Sequence, residues 1–340
     1  MVWKSLLAAT VAFLSGSAVA LYAAGPPLGS GPVEPLAVNA RAVPFSRADP
    51  GAERVGRLRF LGAIDLTSPD QRFGGLSDML WEPACGRLLA VTDTGAWVVL
   101  EPKEEGERLT AIGQAWIAPL LGSDGAPRRS KYESDAEGLA RTASGDLWVF
   151  FEQVHHGERF RGVSACRPES LAAAPDDRWE PAEAANWPGN GGAEAVAARG
   201  ERLLILSESM PGPAARRMGL EGVPGGPVDI FSYAAPPEFE PTAMVPLGDG
   251  TRLLILHRRF SPLTGAAALL AEAEAATPVQ TVLEPREIAR LAPPLAVDNM
   301  EALAVRTEGG RTFIYLASDN NFNPLQKTIL MKFELLPGEP

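Results

Sequence analysis

The stretch Glu137-Gly138-Leu139-Ala140, followed past a turn at Ala143-Ser144-Gly145-Asp146 by Leu147-Trp148-Val149-Phe150-Phe151-Glu152, decides the fold. It opens on an acid, reverses at a glycine, and returns as an apolar strand that ends on a second acid. Short apolar runs joined by such a turn read as a β-hairpin. The unit recurs. Gly74-Gly75-Leu76-Ser77 leads to Leu88-Leu89-Ala90-Val91-Thr92-Asp93, and Glu194-Ala195-Val196-Ala197 to Leu203-Leu204-Ile205-Leu206-Ser207-Glu208. Thr242-Ala243-Met244-Val245 leads to Leu253-Leu254-Ile255-Leu256-His257-Arg258, and Glu301-Ala302-Leu303-Ala304 to Phe313-Ile314-Tyr315-Leu316-Ala317-Ser318-Asp319.

The units start at intervals of roughly 50 to 60 residues, which suits β-propeller blades of four antiparallel strands. The chain is therefore read as all-β, a single β-propeller over residues 57–336. Five units are legible, and the wide first and second steps leave room for a degenerate one. The expectation is six blades, with five as the alternative. Helical solenoids are excluded, because these apolar runs are short and bounded by turns. Residues 265–276 (GAAALLAEAEAA) have helical composition but read as a loop excursion or a variable strand. Residues 58–66 and 329–335 flank the repeats as strands and are expected to share a blade and close the ring.

Closing the ring brings equivalent positions to one channel mouth. One set is Glu137, Glu194 and Glu301, with Gly74 and Thr242 in the first and fourth units. The other is Asp93, Glu152, Glu208 and Asp319, with Arg258 in the fourth unit, and Asp135, Asp298 and Asn299 stand beside them. Converging carboxylates repel unless a proton or cation sits among them. Hard oxygen donors suit Ca²⁺, so Asp93, Asp135, Glu137, Glu152, Glu194, Glu208, Asp298, Glu301 and Asp319 are the candidate metal ligands. Turn capping and ion pairs between blades are the structural alternative for the same acids. Arg128, Arg129 and Lys131, and separately Arg258 and Arg259, are the basic groups that an anionic substrate would meet. Arg128 and Arg129 read rather as a solvated loop.

Composition bounds the rest. A chain of 340 residues with 46% hydrophobic and 21% charged residues can bury a sizeable core. Its net charge of -11, without a basic stripe, excludes nucleic acid as the expected partner. Lys4, the apolar residues 6–14 and Ser17-Ala18-Val19-Ala20 read as a signal peptide over residues 1–20, with cleavage at Ala24 or an uncleaved anchor as alternatives. A Pro/Gly-rich linker follows over residues 21–56. No other segment is apolar enough to span a membrane, so the mature protein is expected to be periplasmic or secreted, and monomeric. Cys85 and Cys166 either pair in that oxidising compartment or stand as two buried thiols. Three histidines without zinc spacing, and the lack of nucleophile-elbow, Walker A and dinucleotide motifs, leave the acids as the chemistry-bearing set.

Several of these motifs resemble a known family. Phe73-Gly74-Gly75-Leu76-Ser77, Asp135-Ala136-Glu137-Gly138-Leu139-Ala140, Asn299-Met300-Glu301-Ala302-Leu303-Ala304 and above all Ser318-Asp319-Asn320-Asn321-Phe322-Asn323-Pro324-Leu325-Gln326-Lys327-Thr328 resemble the phytase-like family described as having esterase-like activity. The resemblance implies a propeller, export in bacteria, and metal-assisted hydrolysis of a phosphate or carboxylate ester. In that reaction Glu137, Glu194 and Glu301 would serve the catalytic centre and Arg258 would stabilise developing negative charge. The dense calcium and phosphate constellation of the calcium-dependent propeller phytases is not matched, which points away from phytate. A calcium-dependent lactonase-type propeller is one alternative. A non-catalytic module for an envelope ligand, recognised through loops such as residues 210–227, is the other.

Overall fold

A computed structural model describes residues 33–212, 216–275 and 282–338. The expected signal peptide and the first part of the linker lie outside them. Five small antiparallel sheets follow one another along the chain, each with its earliest hairpin strand innermost in the ring. The first blade is Leu76–Glu82, Arg87–Thr92, Ala96–Glu105 and Arg108–Pro119, with Glu34–Pro35 on its outer edge. The second is Ala136–Arg141, Leu147–Phe151, His156–Phe160 and Asp177–Trp179. The third runs Ala193–Arg199, Arg202–Pro211, Arg217–Gly222 and Val228–Tyr233, and Val282–Leu283 adds a parallel outer strand. The fourth is Glu240–Leu247, Arg252–Ser261, Gly265–Glu274 and Arg286–Leu291.

The fifth blade closes the ring. Met300–Glu308, Arg311–Ser318 and Thr328–Leu335 come from the C-terminal part, and the earlier strand Leu58–Thr67 pairs antiparallel with Thr328–Leu335. Sharing the blade in this way ties the two ends of the repeat array together, as the flanking strands imply. Asn39–Ala42 then pairs with Leu58–Thr67, so residues from within the expected linker cover an outer edge of the blade.

The expected sixth blade is not among the described residues. The length that left room for it goes into the long outer hairpin Ala96–Glu105 and Arg108–Pro119, and into the loops that hold Pro168–Ala172 and Ala182–Ala184. The alanine-rich segment is the third strand of the fourth blade, paired on both sides. Its alternation explains the choice: Ala268 and Leu270 enter one apolar cluster, while Ala267, Leu269 and Ala271 enter another. Two buried faces override helical propensity.

The core lies between blades. Leu89, Val91, Trp97 and Val99 of the first pack on Leu139, Val149, Phe151 and Phe160 of the second, all nearly sealed from solvent. Cys85 and Cys166 are bonded across the same junction, with Cα atoms 5.4 Å apart. For a loop of this length the cross-link contributes about 4.5 kcal/mol in the chain-entropy view. Among the described residues no helix is long and apolar enough to cross a membrane.

Candidate functional site

Every inner strand carries a β-bulge at the same place. The register skips Ser77, Glu137, Glu194, Thr242 and Glu301 in successive blades. A bulge leaves its extra residue outside the ladder and re-aims its side chain. This corrects the repeat alignment in the first unit, where Ser77, not Gly74, is the equivalent of Glu137. The ring of bulges thus holds three glutamates and two hydroxyls. Sequence matching failed there because Gly74-Gly75 imitates the small residues that follow the acid in other units.

Two residues beyond the cross-strand partner of the next position stand Asp93, Glu152, Glu208, Arg258 and Asp319, one per blade. The backbone N–H groups of Asp93, Glu152, Glu208 and Asp319 donate to the carbonyls of Gly75, Asp135, Gly192 and Asn299 at 2.8–3.0 Å. Arg258 pairs in register with Glu240. Asp135, Glu240 and Asn299 therefore form a third tier of the mouth. Glu240 escaped the sequence reading, although it precedes Thr242 by the same two residues that separate Asp135 from Glu137.

The side chains converge. Asp135, Glu137 and Glu152 bring carboxylate oxygens within 4.8 Å of one another, and so do Glu152, Glu194 and Glu208. Glu152 is common to both groups. One of its oxygens accepts the N–H groups of Gly191 and of Gly192, the latter at 2.9 Å. Lys131 enters from the helix Lys131–Ser134 and donates to Asp93 at 2.7 Å and Asp135 at 2.5 Å. Gln153 donates to the other Asp135 oxygen at 3.2 Å. Across the mouth Arg258 meets Glu208 at 2.6 Å, Asn299 at 3.1 Å and Glu301 at 3.3 Å, and Asn299 donates to Glu301 at 2.7 Å. Asp319 accepts the N–H of Asn321 at 2.6 Å. Gly75 lacks a side chain of necessity, because a Cβ there would lie 1.9 Å from Asp93 Oδ1.

Asp298 does different work. It accepts the N–H groups of Asn299 at 2.9 Å and Lys327 at 3.1 Å, and so fastens the loop of residues 319–327. Arg128 is buried in an ion pair with Glu158 and over the Phe151 ring, which makes it structural. Arg259 pairs with Glu238.

The electrostatics follow from burial. Loss of solvent, then repulsion from Glu194 and Asp135, pushes Glu137 well above the usual carboxyl range despite Lys131. Burial and the charges of Glu208 and Glu152 do the same to Glu194. Asp319 is raised by burial, Glu301 and Asp93, and Asp93 by burial against the pull of Lys131. Burial pushes Glu301 up to about 7, with Arg258 opposing. Nine acids, counting Glu208 and Glu240, thus face Lys131 and Arg258 inside the ring and Arg217 at its edge. The mouth must take up protons or cations.

A pH dependence follows. A carboxyl raised in the folded state binds a proton there that the unfolded chain releases, so stability falls as pH rises through the interval between the two pKa values. For Glu301 that interval runs from 4.5 to about 7, a loss of about 3 kcal/mol. Glu137, Glu194 and Asp319 act in the same sense. Burial depresses His257 and His156, which lose stability as pH falls below 6.5, but they are outnumbered. Glu158 and Glu334, held low by neighbouring groups, titrate below this interval. In EDTA the protein is expected to melt higher at pH 5 than at pH 7.5 in thermal scans. A higher melting temperature at pH 7.5 would contradict the assignment.

A ring of blades whose mouth gathers acids from every blade but the fourth's second strand defines a propeller with an acidic, oxygen-rich centre. The chain belongs to the Phytase-like family: the model described as "esterase-like activity of phytase" matches residues 71–322. No curated protein matches it. Among solved structures it is similar to virginiamycin B lyase from Staphylococcus aureus, at 11% identity and TM-score 0.37 over 84% of this chain and 82% of that one. It is also similar to a gluconolactonase from Xanthomonas campestris, at 13% identity and TM-score 0.39 over 91% and 89%.

Proposed function

We propose that the protein is an exported, monomeric, Ca²⁺-dependent hydrolase of small phosphate or carboxylate esters, acting at the propeller mouth. The observation that supports it is the excess of buried carboxylates over fixed cations, gathered in two groups around Glu152. The donors of both groups are all carboxylate oxygen, buried and within 4.8 Å of one another, which fits a hard cation. Asp135, Glu137, Glu152, Glu194 and Glu208 would hold it. Bound there, Ca²⁺ would polarise an ester oxygen and acidify water.

The chain's own groups supply the rest. Arg258, fixed by Glu208 and Glu301, would stabilise negative charge growing on the substrate. Glu301, with a pKa near neutrality, is suited to accept a proton from water and return it to the leaving oxygen. Purified protein is expected to turn over p-nitrophenyl phosphate or p-nitrophenyl acetate in Ca²⁺ and to lose that activity in EDTA. Inactivity on both in Ca²⁺ would overturn the proposal.

A further inference from the structure

Seven large apolar side chains are exposed among the described residues, and five of them belong to the loops that rim the acidic mouth. Leu263 is 96% exposed, Leu325 89%, Phe260 75% and Tyr132 59%, and Val154 is the fifth. Only Val223, in the turn between the outer strands of the third blade, and Ile230, in the last of them, lie elsewhere. Isolated surface apolar residues are ordinary, but their concentration around one acidic centre is not.

Each rim residue is tied to the centre through its own loop. Tyr132 follows Lys131, which bonds Asp93 and Asp135. Val154 follows Gln153, which bonds Asp135. Leu325 sits in the loop whose Asn320 accepts the Gly75 N–H and whose Lys327 N–H is held by Asp298. Phe260 and Leu263 belong to the hairpin that continues past Arg258, with pairs Arg259–Ala267, Phe260–Ala266 and Ser261–Gly265 before the tip. At about 3.4 Å per residue the tip stands roughly 10 Å beyond the Arg258 guanidinium's strand position. A polar floor lies under an apolar rim.

We infer that the substrate is amphiphilic: an ester whose phosphate or acyl head reaches the carboxylates and Arg258 while its aliphatic body lies on the Phe260–Leu263 hairpin and the facing loops. This rests on the hydrolase reading for the head group and on the rim alone for the tail. A tail on Phe260 and Leu263 removes apolar surface from water on both partners, so affinity should climb with chain length. A compact polyanion would leave the rim unused.

The test compares p-nitrophenyl decanoate with the acetate, and decyl phosphonate with methyl phosphonate, all below micelle-forming concentrations. The decyl compounds are expected to be favoured by about tenfold or more, in kcat/KM for the esters and in calorimetric affinity for the phosphonates. The double substitution Phe260→Ser and Leu263→Ser should collapse both ratios toward one, whereas Val223→Ser with Ile230→Ser should leave them standing. Both pairs are exposed, and matching melting temperatures check folding; the wild-type ratios decide the matter without any variant. Turnover without chain-length preference overturns the inference and leaves the hydrolase intact. Absence of turnover together with decyl-selective, rim-dependent phosphonate binding removes the hydrolase and keeps the amphiphile. Co-sedimentation with phosphatidylcholine vesicles, without binding of the monomeric decyl compound, overturns it in favour of a lipid surface.

Discussion

Replacing Glu152 by glutamine is expected to lower ester turnover by about 100-fold or more and to abolish the rise in melting temperature that Ca²⁺ produces at pH 7.5. Glu152 is the one carboxylate shared by both acidic groups, so neutralising it weakens either cation position. Glutamine keeps an oxygen for the Gly191 and Gly192 N–H groups, which leaves the loop around residues 189–192 in place. Without Ca²⁺ the variant should even be more stable than the parent by about 1 kcal/mol, because a charge facing Glu194 has gone. Glu152→Ala removes the charge and the acceptor together. It should match the glutamine variant in lost turnover and fall below it in stability, since two buried N–H groups lose their partner. Full turnover by Glu152→Gln, measured with saturating Ca²⁺, would show that the carboxylate only holds the loop.

What could be read from the sequence was set by chain period. Hairpins with glycine turns and apolar strands announce themselves locally, so the propeller, the shared closing blade and the positions of Asp93, Glu152, Glu208, Arg258 and Asp319 emerge from spacing alone. Bulges do not announce themselves. A one-residue insertion in an inner strand is invisible without its partner, so spacing alone aligns the first unit on Gly74 where the register gives Ser77. Ion pairing across blades was equally hidden: Arg128 and Lys131 are three residues apart, yet one is buried on Glu158 and the other reaches the acidic centre. Blade number failed for a different reason. Loop length and outer-strand length substitute for each other in the interval between units, so wide spacing does not count blades.

Replacing Asp78 by alanine is expected to cost about 4 kcal/mol of folding stability, read as a shift in the urea midpoint. Asp78 follows the first bulge, where the other blades have Gly138, Ala195, Ala243 and Ala302. An innermost strand has no neighbour on its channel side, and its N–H groups there need an acceptor. Asp78 supplies it across three blades: one oxygen accepts the Met79 N–H at 2.8 Å, the other accepts Leu139 of the second blade at 2.8 Å, and Leu303 of the fifth also donates. Burial pushes its pKa well up, against the pull of these donors. Alanine leaves the donors unpaired in a sealed site. Asp78→Asn fills the space and keeps one acceptor oxygen but turns an NH₂ toward an N–H, so its loss should be real and smaller. That order, alanine below asparagine below the parent, distinguishes missing acceptors from a missing volume. Equal losses for the two variants would assign the effect to charge, and a loss under about 1 kcal/mol for alanine would show that the inner strands hold their spacing without it.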